Sequence, residues 1–437
     1  MTGTPGALRT ATADLNGIAR GNRLPGRMAD KLMAEGLRLP LSALNLDVWG
    51  EDIAGSPLVF AGGDPDGVAR PTGRGPLPVP WLAGSGTLVP MWMFHEDGRA
   101  FEGDARQALS RLLDRFSKRG LVPLVGSELE FHLLDDSRAM PRPAASPRSG
   151  HRRPGGDILS LRQLDDFEVF FADLYEGAEA MGLRAGAAIS EGSPGQFEVT
   201  LDHREAMRAA DDAWLFKMLV HGMARKHGMA ASFMAKPLPD HPGNGLHVHV
   251  SVMDGTGANV FDDGTERGSQ TLRQAIGGCL ALMAEATLVF APHGPSYDRF
   301  VPGAHAPTGI SWGYENRTVA LRVPGGAPAA RRLEHRLAGG DANPYLMFGA
   351  VLGGVLEGIA APTEPPAPLT GNAYEKDLDQ VPRDWITAID GFAASHGIAR
   401  IFAPQLIANF VATKRQEARK LADLDAASRR ALYLDIV

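Results

Sequence analysis

The sequence predicts an α+β protein in which a small β-rich N-terminal domain precedes a larger domain of mixed strands and helices. Residues 1 to about 100 are crowded with Gly and Pro between short apolar runs, as strands joined by tight turns require. From Asp104 onward, helical stripes alternate with segments of period two. One Cys in 437 residues excludes a disulfide scaffold, so a hydrophobic core must hold the chain together.

In the first domain, residues 1–100, Leu41 to Val48 and Gly86 to Phe94 read as strands, with Gly62-Gly63-Asp64-Pro65 as a turn. The second domain, residues 101–437, opens on a helix. Asp104 is its N-cap, Ala105, Ala108, Leu109, Leu112 and Phe116 form its apolar stripe, and Gly120 stops it. Asp165 to Met181 predicts a second helix ending at Gly182, and Arg204 to His227 a third ending at Gly228. The basic, Pro-rich stretch 137–156 reads as a solvated, mobile loop, and Cys279 as a buried, inert thiol.

A formal charge of −7, from 44 Lys plus Arg against 51 Asp plus Glu, argues against a nucleic-acid binder. The longest apolar run, Tyr345 to Leu356, falls short of the roughly 20 residues that span a bilayer. The first 35 residues show no apolar signal core. A soluble, cytoplasmic protein is expected.

Four segments carry chemistry. In Gly126-Ser-Glu128-Leu-Glu130-Phe-His132, strand alternation puts Glu128, Glu130 and His132 on one face, the two carboxylates about 6.6 Å apart. A merely solvated strand face looks the same. Glu191 precedes a Pro-Gly turn, after which Gln196, Glu198 and Thr200 share a face opposite Phe197 and Val199. After the Gly243-Asn244-Gly245 turn, His247, His249 and Ser251 alternate with Leu246, Val248 and Val250, as a metal or phosphate face or as structural histidines. Last come Arg299, Arg317, Arg322, Arg332 and Arg336, with Glu334 between two guanidinium groups. Carboxylates gathered on one sheet repel unless cations neutralise them, and oxygen ligands with one imidazole suit Mg²⁺ or Mn²⁺. The arginines suit a phosphoryl anion. The residues by themselves therefore point to metal-dependent phosphoryl transfer, without a P-loop signature.

These motifs, in order and spacing, resemble the glutamine synthetase family from about Leu41 to Phe410-Val-Ala-Thr-Lys-Arg-Gln-Glu417. The resemblance implies an N-terminal β-grasp domain and a catalytic domain with an antiparallel sheet backed by helices. It implies that Glu130, Glu191 and Glu198 hold one metal and Glu128, His247 and Glu334 a second. It assigns His249, Ser251 and Arg332, with Arg322, to the nucleotide, and Arg317 and Arg322 to phosphate. Arg299, Arg336, Gly243 and Glu130 fall to the glutamate. The implied substrates are L-glutamate, ATP and an amine, with two Mg²⁺ or Mn²⁺ per site. The implied assembly is a homo-oligomer, a dodecamer of two hexameric rings, in which Asp52 comes from the neighbouring subunit.

One departure bears on the substrate. Ammonia-using enzymes of the family carry a Glu where this chain has His305, and an imidazole attracts ammonium less well than a carboxylate does. Ser311-Trp-Gly-Tyr-Glu-Asn-Arg317 and Glu334-His-Arg-Leu-Ala-Gly-Gly-Asp-Ala-Asn343 resemble the γ-glutamylpolyamine synthetase branch. The expectation is a ligase joining glutamate to a polyamine or small alkylamine. Glutamine synthesis from ammonia and a catalytically silent regulatory homologue are the competing readings.

Overall fold

A computed structural model describes residues 6–84, 86–136, 141–301, 306–434 and 436–437. The N-terminal sheet is built on β1 (Leu8–Ala13), β2 (Leu37–Pro40), β3 (Asp66–Pro71) and β4 (Thr87–His95), with α1 (Ala29–Glu35) against it. At its centre β1 pairs parallel to β4, while β3 joins β4 and β2 joins β3 antiparallel. This is the β-grasp arrangement. Leu41 to Val48, expected as a strand, instead begins with a 3₁₀ turn over Leu41–Leu44 that buries Leu41 and Leu44 on one side. A period of three suits those two leucines better than the pleat does.

The first catalytic helix, α2 (Ala105–Ser117), starts where expected, because the Asp104 carboxylate accepts from the N–H groups of Arg106 and Gln107. Asp104 also accepts from Met93 N at 2.7 Å, which fastens α2 to β4. Behind it lie β5 (Val122–Leu134), α3 (Glu168–Ala180), β6 (Ala185–Ser190), β7 (Gln196–Glu205), α4 (Ala206–Lys226) and β8 (Leu246–Met253). Then come α5 (Gln270–Met283), β9 (Trp312–Tyr314), β10 (Leu321–Val323), β11 (Leu333–His335), α6 (Pro344–Ala360) and α7 (Pro404–Leu421). The catalytic sheet runs β9-β10-β11-β8-β5-β7-β6, with Ala230–Ser232 added on β5. Every pairing is antiparallel except β9 with β10.

Two helix limits shift from expectation. The stretch predicted from Asp165 breaks at Phe167, whose ring turns onto Phe197 at 5.2 Å, leaving a short helix Leu161–Asp166 before α3. The helix predicted from Arg204 begins at Ala206, because β7 stays paired with β5 through Glu205. Within 137–156, residues 137–140 lie outside the described set, and the rest is held more firmly than a free loop. Ala144 N donates to Leu133 O at 2.9 Å, and Arg152 and Arg153 pair with Asp135 and Asp166.

One face of the catalytic sheet is apolar. Leu129, Phe131, Phe197, Val199, Val248 and Val250 are wholly buried against helices that include α4, whose Phe216 and Leu219 are equally inaccessible. The apolar run Tyr345 to Leu356 is the core helix α6, and α5 meets it closely; a Cβ on Gly278 would lie 2.2 Å from Gly354 O. Cys279 is buried at that crossing, and burial pushes its thiol up to about 12. Among the described residues no helix is long and apolar enough to cross a membrane.

A buried ionic cluster ties the two ends of the chain together. Glu417 on α7 accepts from Asn16 Nδ2 at 3.1 Å, Val48 N at 2.9 Å and Lys414 Nζ at 2.9 Å. Burial pushes the Glu417 carboxyl up, but Lys414 and His293 outweigh it and hold it at about 2. Its stabilising contribution is therefore complete above the ordinary value of 4.5 and is lost as pH falls toward 2. Removing one partner of a buried pair leaves the other uncompensated, at a cost of about 3–5 kcal/mol. Glu417→Ala should lower the thermal midpoint at pH 7 and narrow its gap from wild type near pH 2; an unchanged midpoint at pH 7 would show that the cluster does not tie the ends.

Candidate active site

The polar face of the catalytic sheet gathers the charged residues through strand register. Glu198 on β7 lies opposite Glu130 on β5, and His247 on β8 lies opposite Glu128. Further along, His249 faces Glu334 on β11, and Glu334 faces Arg322 on β10. A cleft of about 530 Å³ is lined by Glu128, Glu130, Glu191, Glu198, Gly243, His247, Arg299, Arg317 and Arg336, among others. A second, of about 570 Å³, has Glu128, His249, Ser251 and Arg332 in its wall. Glu128 lines both.

The histidines are oriented by their neighbours. Arg332 Nε donates to His249 Nδ1 at 3.3 Å, so His249 Nε2 carries the proton given to Glu128 Oε1 at 2.9 Å. His247 Nδ1 bonds Glu128 Oε2 at 3.1 Å, while its Nε2 is buried with no partner. Burial pushes the Glu128 carboxyl up, but the two imidazoles outweigh it and hold it well below the usual range. Glu130 accepts from Gly245 N at 2.7 Å and Gln196 Nε2 at 3.2 Å. Glu198 has no such help. Burial, then repulsion from Glu128, Glu130 and Glu191, drives its carboxyl far up, and burial with Glu130 raises Glu191 to about 7.

The donor set fits divalent cations. Ligand atoms of Glu128, His247 and Glu334 come within 4.8 Å of one another, as do those of Glu130, Glu198 and His247. The free, buried His247 Nε2 and the mutually repelling carboxylates are what a bound ion would satisfy. The arginines fit an anion. Arg299 and Arg336 are 3% and 4% exposed, and the Nε atoms of Arg299, Arg322 and Arg336 are buried without acceptors. Burial pushes the Glu334 carboxyl up, but Arg336 and the neighbouring imidazoles outweigh it, so it is held low between Arg322 and Arg336. Arg317 is exposed at the rim.

Asp52, an expected site residue, is exposed in the N-terminal region and is in the wall of neither cleft. His305 lies outside the described residues. His132, expected on the acidic face, is wholly buried, with ring nitrogens 2.8 Å from Asn244 Oδ1 and Ser193 Oγ, and burial pushes its imidazole down to about 3. It braces the turn rather than facing the cleft. Sequence reasoning missed Gln196 as a support, although its alternation with Glu198 was a signal; its amide bridges Glu130 to Gly243 O, the latter at 2.9 Å. Gly243 must be glycine, because a Cβ there would meet Ala235 O at 1.9 Å. It also missed Ile158 and Leu159, an apolar pair after Gly155-Gly156 that lines the acidic cleft.

Comparison with known proteins agrees with this geometry. Residues 102–430 match the glutamine synthetase catalytic domain. The chain is 36% identical over 411 residues to gamma-glutamylputrescine synthetase of Escherichia coli, covering 92% of this chain and 86% of the relative. It is 31% identical over 420 residues to glutamine synthetase of Pyrococcus horikoshii, covering 94% and 88%. The ligand-free structure of GmaS matches with a TM-score of 0.84 at 27% identity, covering 98% of this chain and 96% of that one. With the acid, histidine and arginine groups on one sheet face and the catalytic domain matched along most of its length, the chain belongs to the glutamine synthetase family.

Proposed function

We propose that this chain is an ATP-dependent ligase that joins the γ-carboxylate of L-glutamate to an organic amine through γ-glutamyl phosphate, releasing ADP and phosphate. The observation that carries the reading is one cleft whose wall sets four crowded carboxylates, Glu128, Glu130, Glu191 and Glu198, beside the guanidinium groups of Arg299, Arg317 and Arg336. Such a site has places for cations and for an anion side by side, as a metal-assisted phosphoryl transfer requires. Preference for an amine over ammonia rests on His305 in place of Glu and on the greater similarity to the putrescine enzyme than to the glutamine synthetase.

In this reading Glu130, Glu191 and Glu198 hold one Mg²⁺ or Mn²⁺, and Glu128, His247 and Glu334 the other. Bound there, the ions would neutralise charge on the carboxylates and phosphates and favour in-line displacement. Arg299 and Arg336, fixed in the wall, orient glutamate, with Gly243 leaving room beside them. His249, Ser251 and Arg332 line the cleft assigned to the nucleotide, and Arg317 and Arg322 offset negative charge on the transferring phosphoryl group. The γ-carboxylate attacks the γ-phosphorus of ATP, ADP leaves, the amine nitrogen attacks the acyl carbon, and phosphate departs as the nitrogen gives up a proton, for which His305 is the proposed acceptor. Asp52 is exposed and lines neither of its own clefts, which suits a residue lent to a neighbouring subunit of a ring, two hexamers making a dodecamer.

With glutamate and ATP, phosphate release should be faster with a small alkylamine or polyamine than with ammonia, and His305→Glu should shift the ratio toward ammonia; equal rates with ammonia alone would sink the amine preference. Glu198→Gln should cut kcat on the order of 100-fold or more and weaken Mn²⁺ binding by calorimetry, yet raise the thermal midpoint without metal at neutral pH, because a carboxyl driven up on folding must take up a proton there and the amide need not. Undiminished Mn²⁺ affinity would remove Glu198 from the ligand set. Asp52→Asn and Glu198→Gln, each inactive alone, should recover part of the activity when co-expressed, and no recovery would argue against a site shared between subunits.

A further inference from the structure

The mouth of the acidic cleft carries two large apolar side chains that packing does not explain. Ile158 is 62% and Leu159 66% exposed, yet both line the cleft that holds Glu191 and Arg299. A lone exposed leucine is ordinary. This one has φ +59°, a left-handed conformation that a branched side chain adopts only under constraint.

The constraint is visible in the backbone. Leu159 N donates to Ser190 O at 2.9 Å, Ser160 N to Ser190 Oγ at 2.7 Å, and Ser190 Oγ to Asp157 O at 2.7 Å. Gly156 presses so closely on the next strand connection that a Cβ would meet Gly192 O at 2.1 Å. Ser160 then caps the helix Leu161–Asp166. The segment is thus clamped to the end of β6, one residue before Glu191. Ile189 and Pro242 line the same wall, and a Cβ on Gly192 would sit 3.3 Å from Pro242 Cγ and 3.6 Å from Ile158 Cδ1. Fixed backbone, strained φ and exposed apolar tips together make a preformed lip beside a carboxylate.

We propose that Ile158 and Leu159, with Ile189 and Pro242, hold the carbon chain of the amine substrate while its nitrogen lies toward Glu191; the proposal rests on the glutamate–amine ligase reading. Ammonia has no carbon to bury and gains nothing from such a wall. An aliphatic amine gains with each methylene covered, by about fourfold in kcat/KM. The substrate class is therefore an aliphatic amine, favoured in step with its chain length until the lip is spanned.

The test is phosphate release by the full-length enzyme with glutamate, ATP, Mg²⁺ and the series methylamine, ethylamine, propylamine and butylamine. Wild type should show kcat/KM rising along the series, and Ile158→Ala and Leu159→Gly should each flatten the rise. Leu159→Gly should also raise the thermal midpoint, since glycine accepts φ +59° without strain. A general folding defect lowers every amine by the same factor and leaves the slope intact, so the slope is the deciding readout. The lip is overturned if wild type shows no slope, or if both variants keep it. It is also overturned if the variants dissociate the assembly, which would make the pair a contact between copies. No phosphate release with any amine or with ammonia would instead overturn the ligase reading, and the lip with it.

Discussion

Carboxylates that share one face of a sheet repel, and the register of β5, β7 and β8 gives this protein no way to separate them. Glu130 and Glu198 are directly opposite residues of paired strands, and their ligand atoms with that of His247 fall within 4.8 Å. At that spacing two full charges repel by about 3 kcal/mol near a protein surface. The fold relieves the problem unevenly. Glu128 has two imidazoles, Glu130 a backbone N–H and an amide, and Glu334 two guanidinium groups. Glu191 has the Gly192 N–H and the charge of Arg317, and Glu198 only the charge of Arg336; these do not offset burial and repulsion, and their carboxyls are the ones driven up. The uneven relief marks where the site still asks for a cation.

A face under such repulsion keeps its shape only if what lies behind it is rigid. The opposite side of the same strands is apolar but for the buried Ser127 and is seated on α4, so the charged residues alternate with residues locked in the core. Polar staples extend this rigidity outward. Arg106 on α2 makes a two-pronged pair with Asp211 on α4 at 2.9 and 3.0 Å, and Tyr345 on α6 donates to the same carboxylate at 2.8 Å. The Glu417 cluster does the same between α7 and the N-terminal segment. Buried ion pairs of this kind fix one arrangement of helices more than they add net stability.

What the sequence made legible was local periodicity. The acid strand, the histidine strand and the Asp104 cap follow from alternation and capping within a few residues, and their geometry matches the expectation. What failed depended on distant partners. His132 alternates with the two acids yet is structural, because Asn244 and Ser193 arrive from other segments to bond its ring. Arg204 has helical neighbours yet remains in a strand, because β5 pairs with it. The apolar tips of Ile158 and Leu159 were invisible as a feature, since only the clamp onto Ser190 and the proximity of Glu191 distinguish them from loop residues.

His247 connects the two halves of the site and constrains how they can work. It belongs to both candidate ligand groups, but its Nδ1 is committed to Glu128, leaving Nε2 as one lone pair. One lone pair serves one ion. On the proposed reading of two ions, the group that does not receive His247 needs a further ligand, and the group built on Glu128 and Glu334 has both acids already engaged by cationic or imidazole partners. That group retains the histidine. The Glu130 and Glu198 group must then be completed from elsewhere, and Glu191, in the same cleft and raised to about 7, is the carboxylate placed to complete it. A carboxyl near 7 gives up its proton at little cost when a cation arrives, so the repulsion that strains this sheet face also prepares it for binding.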